Sequence, residues 1–346
     1  MHRVDPSEEI AQLRHMNCLV TGGLGYIGAA VVSALVQDGH RVVIVDRDKP
    51  DAAERLARIE EVAGKPVALH LGELLGGAVS EPLLKENAID VVFHLAARRS
   101  VRGSRKYPRS YYENNVGGLL KVLSAMDSAG VRKIVFASTA AVYGVVSGKA
   151  VPETHPLKPL NPYARSKVHG EEIVLDIARA NPEWSALIFR LFNPSGPDRT
   201  GRLCERRLPE KSSLMSIAME VLEGNREMLR IFGGNLRTPD GTPVRDYVDL
   251  DDVVRAHVMA IPWLKENRGC QILNIGSGQA VSVLDLVHTL EEVSGRKINC
   301  RIEDASPGEI PELVADIHAA EKILGWAPAL SWLETCSRSW KTRNPS

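Results

Sequence analysis

The sequence carries no excess charge of either sign. Its 43 Lys and Arg are balanced by 43 Asp and Glu, for a formal net charge of zero. That balance argues against a nucleic-acid binder held by phosphate attraction, while leaving room for a local basic site. Cysteine is scarce and scattered: Cys18, Cys204, Cys270, Cys300 and Cys336 lie far apart, are odd in number and form no CxxC pair. Free thiols in a reducing compartment are the expectation. The clustered ligands of a metal site are missing, and the ten histidines are equally dispersed. No apolar run reaches the roughly 18 residues that a bilayer span needs. The opening stretch MHRVDPSEEIAQLRH contains acidic residues and lacks an apolar core, so it reads as a polar extension rather than a secretory signal. A cytoplasmic location is expected. Internal repeats, low-complexity tracts and clear linkers are also missing.

What is present is a regular alternation. With 346 residues, 44% of them hydrophobic, the chain can form one large domain or two modest ones. Short apolar runs at Asn17–Thr21, Arg41–Asp46, Val67–Leu71, Asp90–Leu95, Lys133–Ser138 and Ser185–Leu191 read as buried strands. Helical patterns lie between them, at Gly28–Gln37, Tyr111–Ser128 and Pro162–Ala180. The alternation predicts an α/β fold, a doubly wound Rossmann-type parallel sheet, over residues 16–192. After Asn193 the texture changes, becoming rich in Pro, Gly and Arg up to Lys211. Helices are expected at Leu214–Glu223, Asp251–Leu264 and Val281–Ser294, turns at Gly233–Pro243 and a strand at Ile272–Ile275. Residues 193–346 are therefore expected to form a smaller C-terminal mixed α/β domain, its boundary interleaved with the first and ligand bound between them.

Thr21–Gly28 reads TGGLGYIG, with Gly22, Gly25 and Gly28 in GxxGxxG spacing between a predicted strand and a predicted helix. Glycines there permit a tight turn and close approach to a pyrophosphate, and the helix start offers free N–H groups. Asp46 ends the second strand, 18 residues after Gly28. A carboxylate at that place can accept hydrogen bonds from ribose hydroxyls and repels a 2′-phosphate, which favours NAD over NADP; the neighbouring Arg47 could accommodate that phosphate instead.

Asn161-Pro162-Tyr163-Ala164-Arg165-Ser166-Lys167 opens a helix, with Asn161 as N-cap and Pro162 in the first turn. Tyr163 and Lys167 are then i and i+4 on one face. An ammonium beside a phenol favours phenolate, so the pair can supply a general base near neutral pH. Thr139, just past the strand Lys133–Ser138, would place a hydroxyl at the carboxyl edge of the sheet, where ligands bind.

Together the segments TGGLGYIG, VVFHLAARRSV, YYENNVGG, FASTAAVYG, NPYARSK, FRLFNPSG, LRIFGG, DGTPVRDYVDLDD and ILNIGSG resemble, in order and spacing, the UDP-glucose (UDP-galactose) 4-epimerases, extended short-chain dehydrogenases that act on nucleotide sugars. The resemblance covers roughly residues 16 to 340. It implies NAD as cofactor, with Gly22, Gly25, Tyr26, Ile27 and Gly28 along the pyrophosphate, Asp46 and Arg47 at the adenosine ribose, and Glu73 and Leu74 near the adenine. Ala96, Ala97, Arg99, Asn115 and Ser138 would border the cofactor. Thr139, Tyr163 and Lys167 match the catalytic Ser/Thr, Tyr and Lys, the last two also touching NAD. Asn193, Ser213, Leu214, Arg230, Phe232 and Arg245 match the positions that grip the nucleotide sugar, with Phe232 able to stack on a uracil and Arg245 to pair with diphosphate oxygens. The implied activity is epimerisation at C4 through a transient 4-keto sugar, and the implied assembly a homodimer through the helices containing Tyr111–Ser128 and Pro162–Ala180.

Several positions depart from the family pattern. Glu73, Arg99 and Leu191 stand where Asp, Lys and Tyr are usual. Ser213 replaces an Asn, Ser306 replaces a phosphate-binding Arg, and Leu313 occupies the position that restricts or admits N-acetylated sugars. Arg199, Arg202, Arg206, Arg207 and Lys211 form a basic stretch that is a solvated loop, a substitute for the lost arginine, or a partner for an acidic group on the sugar such as a uronate. Ala140-Ala141 follow Thr139 where a 4,6-dehydratase carries Asp-Glu. A reductase, a decarboxylase, a 3,5-epimerase and a non-catalytic NAD-binding regulator are the competing readings.

Overall fold

The computed structural model describes residues 15–146, 150–205, 213–305 and 310–344. Among them the first part of the chain runs β1 (Asn17–Thr21), α1 (Tyr26–Gln37), β2 (Arg41–Asp46), α2 (Ala52–Ala63), β3 (Ala68–Leu71), α3 (Glu81–Glu86) and β4 (Val91–His94). It continues with α4 (Val101–Lys106), α5 (Pro108–Tyr112), α6 (Gly118–Ala129), β5 (Lys133–Thr139), α7 (Pro162–Ala180) and β6 (Ser185–Leu191). The second part contains β7 (Asn193–Ser195), α8 (Leu214–Leu222), β8 (Leu229–Phe232), β9 (Val244–Arg245), β10 (Tyr247–Asp249), α9 (Leu250–Glu266) and β11 (Gly269–Ile275). It ends with β12 (Val281–Ser282), α10 (Val283–Ser294), β13 (Cys300–Glu303), β14 (Glu312–Leu313), α11 (His318–Leu324) and α12 (Trp332–Arg343).

Seven parallel strands form one sheet in the order β11-β6-β5-β4-β1-β2-β3. This is the doubly wound Rossmann order, extended by one strand beyond β6. Its strands are apolar at successive positions because both faces are covered. Val20, Ile44, Phe93, Val135 and Phe189 pack on one side with Val31 and Leu35 of α1 and Val253 and Ile261 of α9. Their chain neighbours Leu19, Val43, Val92, Ile134 and Ile188 pack on the other side with Val122 of α6 and Val174 of α7. Thus α9 and β11, which follow residue 193, return to the first sheet and interleave the two parts. The remainder gathers around Met219, Ile231, Tyr247, Leu286 and Leu290.

Two helical expectations change in detail. Tyr111–Ser128 is not one continuous helix: a π-helical turn at Glu113–Gly117 separates α5 from α6. The run beginning at Val281 opens as a two-residue strand, and its helix starts at Val283 under a Ser282–Asp285 capping box.

Candidate active site at the carboxyl edge of the sheet

The crossover from β1 to α1 is set by close contact. Gly22 sits at φ +75°, and a Cβ there would lie 2.9 Å from the Ala96 backbone. A Cβ on Gly28 would come within 2.2 Å of the Gly22 carbonyl oxygen. Gly22 and Gly28 thus let the turn fold back between β1 and the segment after β4. The N-cap residue, Gly25, offers no side-chain cap to α1, so the first-turn N–H groups of Tyr26, Ile27 and Gly28 keep their capacity for an anion. The Tyr26 hydroxyl donates to the Gly196 carbonyl at 2.5 Å, tying this turn to the second part of the chain.

Asp46 is buried at the end of β2. Its Oδ2 accepts from the Leu24 N–H at 3.0 Å, and its Oδ1 accepts from the Arg47 N–H at 2.8 Å and lies 2.7 Å from Lys49 Nζ. The sequence reading weighed Arg47 against Asp46 and overlooked Lys49; the structure makes Lys49 the cation beside the carboxylate and leaves the Arg47 side chain exposed. Glu73 is exposed and Leu74 half-buried just after β3.

Ala96 and Ala97 are half-buried beyond β4, with the Ala96 N–H donating to Thr21 Oγ1 at 3.4 Å. Buried Asn115, placed by the π turn, accepts from the Arg98 N–H at 2.8 Å and donates to the Arg98 carbonyl at 3.1 Å and to Ser166 Oγ at 2.9 Å. It fastens the loop after β4 to α7. Arg99 pairs with the buried Glu205 carboxylate at 2.8 Å, whose other oxygen accepts from the Ser213 N–H at 3.0 Å.

α7 begins as its sequence dictates, with Asn161 Oδ1 accepting from the Ala164 N–H at 2.9 Å and Pro162 in the first turn. The structure brings the Thr139 hydroxyl and the Tyr163 phenol next to each other, close enough for the threonine to favour the phenolate. Lys167 is buried on the same helical face, with Nζ donating to the Ala137 carbonyl at 2.6 Å and lying 4.7 Å from the centre of the Phe136 ring. Burial is the dominant influence on both groups. It raises Tyr163 above the usual phenol range, against the Thr139 hydroxyl and the Arg99 charge. It lowers Lys167 to about 8, against the Glu171 carboxylate. The expected depression of the tyrosine by its lysine neighbour is therefore not what this geometry gives: the ammonium is turned to a strand carbonyl, and desolvation of the phenol prevails.

In the second part, Phe232 is 40% exposed, and the Arg230 guanidinium stands 5.3 Å from its ring centre on the same open face of β8. Arg230 also donates through Nε and Nη2 to the two carboxylate oxygens of Glu303, at 2.7 and 2.5 Å. Arg245 is half-buried on β9, pairs in register with Leu313 on β14, and donates to the Val244 carbonyl at 2.9 Å. Asn193 is half-buried where β7 leaves the sheet edge. Ser213 caps α8, its Oγ accepting from the Ser216 N–H at 3.3 Å, and the half-buried Leu214 after it packs against the core of the second part. Ser306, Arg206, Arg207 and Lys211 lie outside the described residues, so the basic-stretch expectation rests on Arg199 and Arg202 here. These reach away to Gln37 and to Glu61.

Behind Lys167 lies a buried set of which the sequence singles out only Ser138, there as a neighbour of the cofactor. Ser138, Glu171 and Arg190 are all at most 3% exposed and mutually bonded, as are Tyr143 and Asn274 next to them. The four-residue step from Lys167 to Glu171 was the available signal.

Comparison with known proteins agrees with this architecture. Residues 18–276 match the NAD dependent epimerase/dehydratase family. A UDP-glucose 4-epimerase of Bacillus subtilis is 37% identical over 94% of this chain and 96% of its own. A UDP-glucose-4-epimerase structure from Stenotrophomonas maltophila with bound NAD and formylated UDP-arabinopyranose superimposes with a TM-score of 0.92, at 36% identity over 95% of this chain and 98% of that one. One from Bifidobacterium longum in complex with NAD+ and UDP gives 0.88 at 34% identity, over 95% and 99%. With its glycine turn, its Tyr163–Lys167 helix and these relatives spanning nearly its whole length, the chain belongs to the NAD dependent epimerase/dehydratase family, among its UDP-glucose 4-epimerases.

Proposed function

We propose that this protein interconverts UDP-glucose and UDP-galactose, epimerising C4 through a 4-keto sugar with NAD held as a resident cofactor. The observation that carries the reading is the neighbouring Thr139 and Tyr163 side chains with buried Lys167 on the same helical face, at the same sheet edge as the uncapped N-terminus of α1. The residues fit NAD: a helix start with donors to spare suits a pyrophosphate, and the Asp46 carboxylate suits a ribose diol. Gly22, Gly25, Tyr26, Ile27, Gly28 and Asp46 would hold the adenosine diphosphate half, while Ala96, Ala97, Asn115 and Ser138 would border the nicotinamide half. NAD, when bound, supplies a hydride acceptor for C4 and then the donor that returns hydride to the opposite face, together with a local positive charge.

Tyr163 exchanges a proton with the sugar 4-hydroxyl, and Thr139 orients that hydroxyl. Because burial holds the Tyr163 phenol above its usual range, its service as a base requires nearby positive charge; Arg99 supplies this in the chain as it stands, and Lys167, one helical turn on, is the second cation of the site. Phe232 would take the uracil, and Arg245 the diphosphate. Homodimerisation through α6 and α7 is part of the same reading; Leu120, Leu123, Ile177 and Trp184 line an apolar groove between these helices, with Leu120 48% exposed.

The direct test is incubation of the purified protein with UDP-galactose without added nucleotide. UDP-glucose should form until the equilibrium ratio is reached, and denaturation should release NAD(H). Failure to turn over either UDP-hexose, with cofactor retained, would sink the reading.

A further inference from the structure

α7 carries three ionisable side chains at four-residue steps on one face: Tyr163, Lys167 and Glu171. The first two belong to the proposed chemistry. Glu171 does not, yet it is only 1% exposed and more fully engaged than either. Arg190 grips it from β6, with Nη2 to Oε2 at 2.6 Å and Nε to Oε1 at 3.1 Å. Ser138 Oγ donates to the same Oε1. The parallel register makes this inevitable, since Ser138 and Arg190 are partners across β5 and β6, one residue before Thr139 and Leu191. Arg190 is fixed in turn by the Tyr143 hydroxyl at 3.0 Å and the Glu153 carbonyl at 2.9 Å. Tyr143 passes the link to Asn274 of β11 at 2.6 Å.

A buried ion pair seldom gains stability over an apolar equivalent, so a pair at this place invites another explanation. Lys167 supplies it. The residue is 3% exposed, with its ammonium donating to the Ala137 carbonyl and the Phe136 ring alongside. From β4 it faces His94, which burial, aided by the Lys167 charge, keeps neutral with a pKa of about 3. On β6, Arg190 is paired with Glu171. Of the groups around it, Glu171 is the one that opposes desolvation. We propose that Glu171, clamped by Arg190 and Ser138, is a positioning residue of the active site whose carboxylate keeps Lys167 an ammonium beneath Tyr163. This rests on the reading of Tyr163 and Lys167 as the proton-transfer pair.

The pH profile of kcat for UDP-galactose, measured on holoenzyme, tests it. Lys167 must be charged, so turnover falls as pH rises through its pKa, and a lower pKa moves that fall to lower pH. Glu171→Gln should shift the alkaline limb down by about one unit or more, with KM within about twofold of wild type and the limb restored in Glu171→Asp. Arg190→Lys, which keeps both charges, should leave the limb in place. If Glu171→Gln does not fold, Glu171→Gln/Arg190→Gln leaves no unpaired buried charge, and its limb should still move down. A uniform loss of kcat with the limb unmoved in either variant would overturn the inference and leave Glu171 a purely structural residue. Wild-type turnover in Tyr163→Phe would instead overturn the underlying reading, whatever Glu171 does.

Discussion

At the scale of single residues, neighbours on one helical face are driven in opposite directions by one cause. Burial discourages charge, so it raises the Tyr163 phenol and lowers the Lys167 ammonium. Tyr163→Phe keeps the ring and removes the proton acceptor. It should preserve the fold and bound NAD while reducing kcat by about 10²- to 10⁴-fold, the usual range for a positioned acid–base group; a kcat near wild type would remove Tyr163 from the mechanism. The YxxxK spacing made this pair legible in the sequence, because i,i+4 neighbours are fixed by helix geometry alone. Glu171 with Arg190 was not legible, since that contact depends on the register of β5 with β6 and on the seat of α7. A second residue-scale expectation concerns Asp46. Asp46→Asn leaves Lys49 and Arg47 without an opposing carboxylate, so the NADP(H)-to-NAD(H) ratio extracted from purified protein should rise by about tenfold, the loss of one charge-assisted contact. An unchanged ratio would show that Asp46 does not set the choice.

At the scale of elements, the turn between β1 and α1 is the most constrained connection in the site. Gly28→Ala would drive a methyl group to 2.2 Å from the Gly22 carbonyl oxygen, so backbone rather than a flexible side chain must move. The variant should fold less stably and be purified with most of its NAD missing, as read by absorbance of the deproteinised extract; full cofactor occupancy would mean the turn tolerates the shift. The strands and α7 were readable because long apolar runs between turn residues allow little else: β1, β2, β6 and α7 begin and end where the pattern places them. The π turn at Glu113–Gly117 was hidden because amphipathic spacing carries α5 and α6 through it, while the hydrogen bonds that favour it, from Asn115 to Arg98 and Ser166, are contacts with other elements. β8 and β13 escaped notice for a different reason. They pair only with each other, and each presents an open face, so neither shows the continuous apolar run that marked the main sheet.

At the scale of the whole molecule, the two covered faces of the sheet have different roles. The α6–α7 face carries the apolar groove with Leu120, and Leu120→Arg should convert the proposed homodimer to a monomer in light scattering with little change in circular dichroism; a dimer of undiminished stability would place the contact elsewhere, and a monomeric wild type would overturn the proposal. The α1–α9 face is where the second part of the chain is locked to the first, and it buries His257 between the rings of Phe93 and Phe189. Its Nδ1 lies 2.8 Å from the Val253 carbonyl, while its Nε2 is buried with no partner. Burial lowers this imidazole from 6.5 to about 4. The sign follows from linkage. The folded protein keeps His257 neutral, whereas the unfolded chain takes up a proton below about 6.5, so the stability it contributes is fully present above that value and is lost as pH falls toward the folded pKa. Buried carboxyls such as Asp249, raised to about 6, act in the opposite direction over part of the same range, so the slope of the wild type alone does not isolate the histidine. A difference does. His257→Leu removes the titration and leaves the carboxyls as they were, and its cost at pH 8 should be small because a partnerless buried nitrogen is exchanged for methyl groups. Between about pH 4.5 and 6, wild type should lose stability relative to His257→Leu by about 1.4 kcal/mol per pH unit, the value for one proton. Parallel urea-unfolding curves for the two proteins across that range would show instead that His257 is protonated alike in the folded and unfolded states, and that the α1–α9 face admits water to its centre.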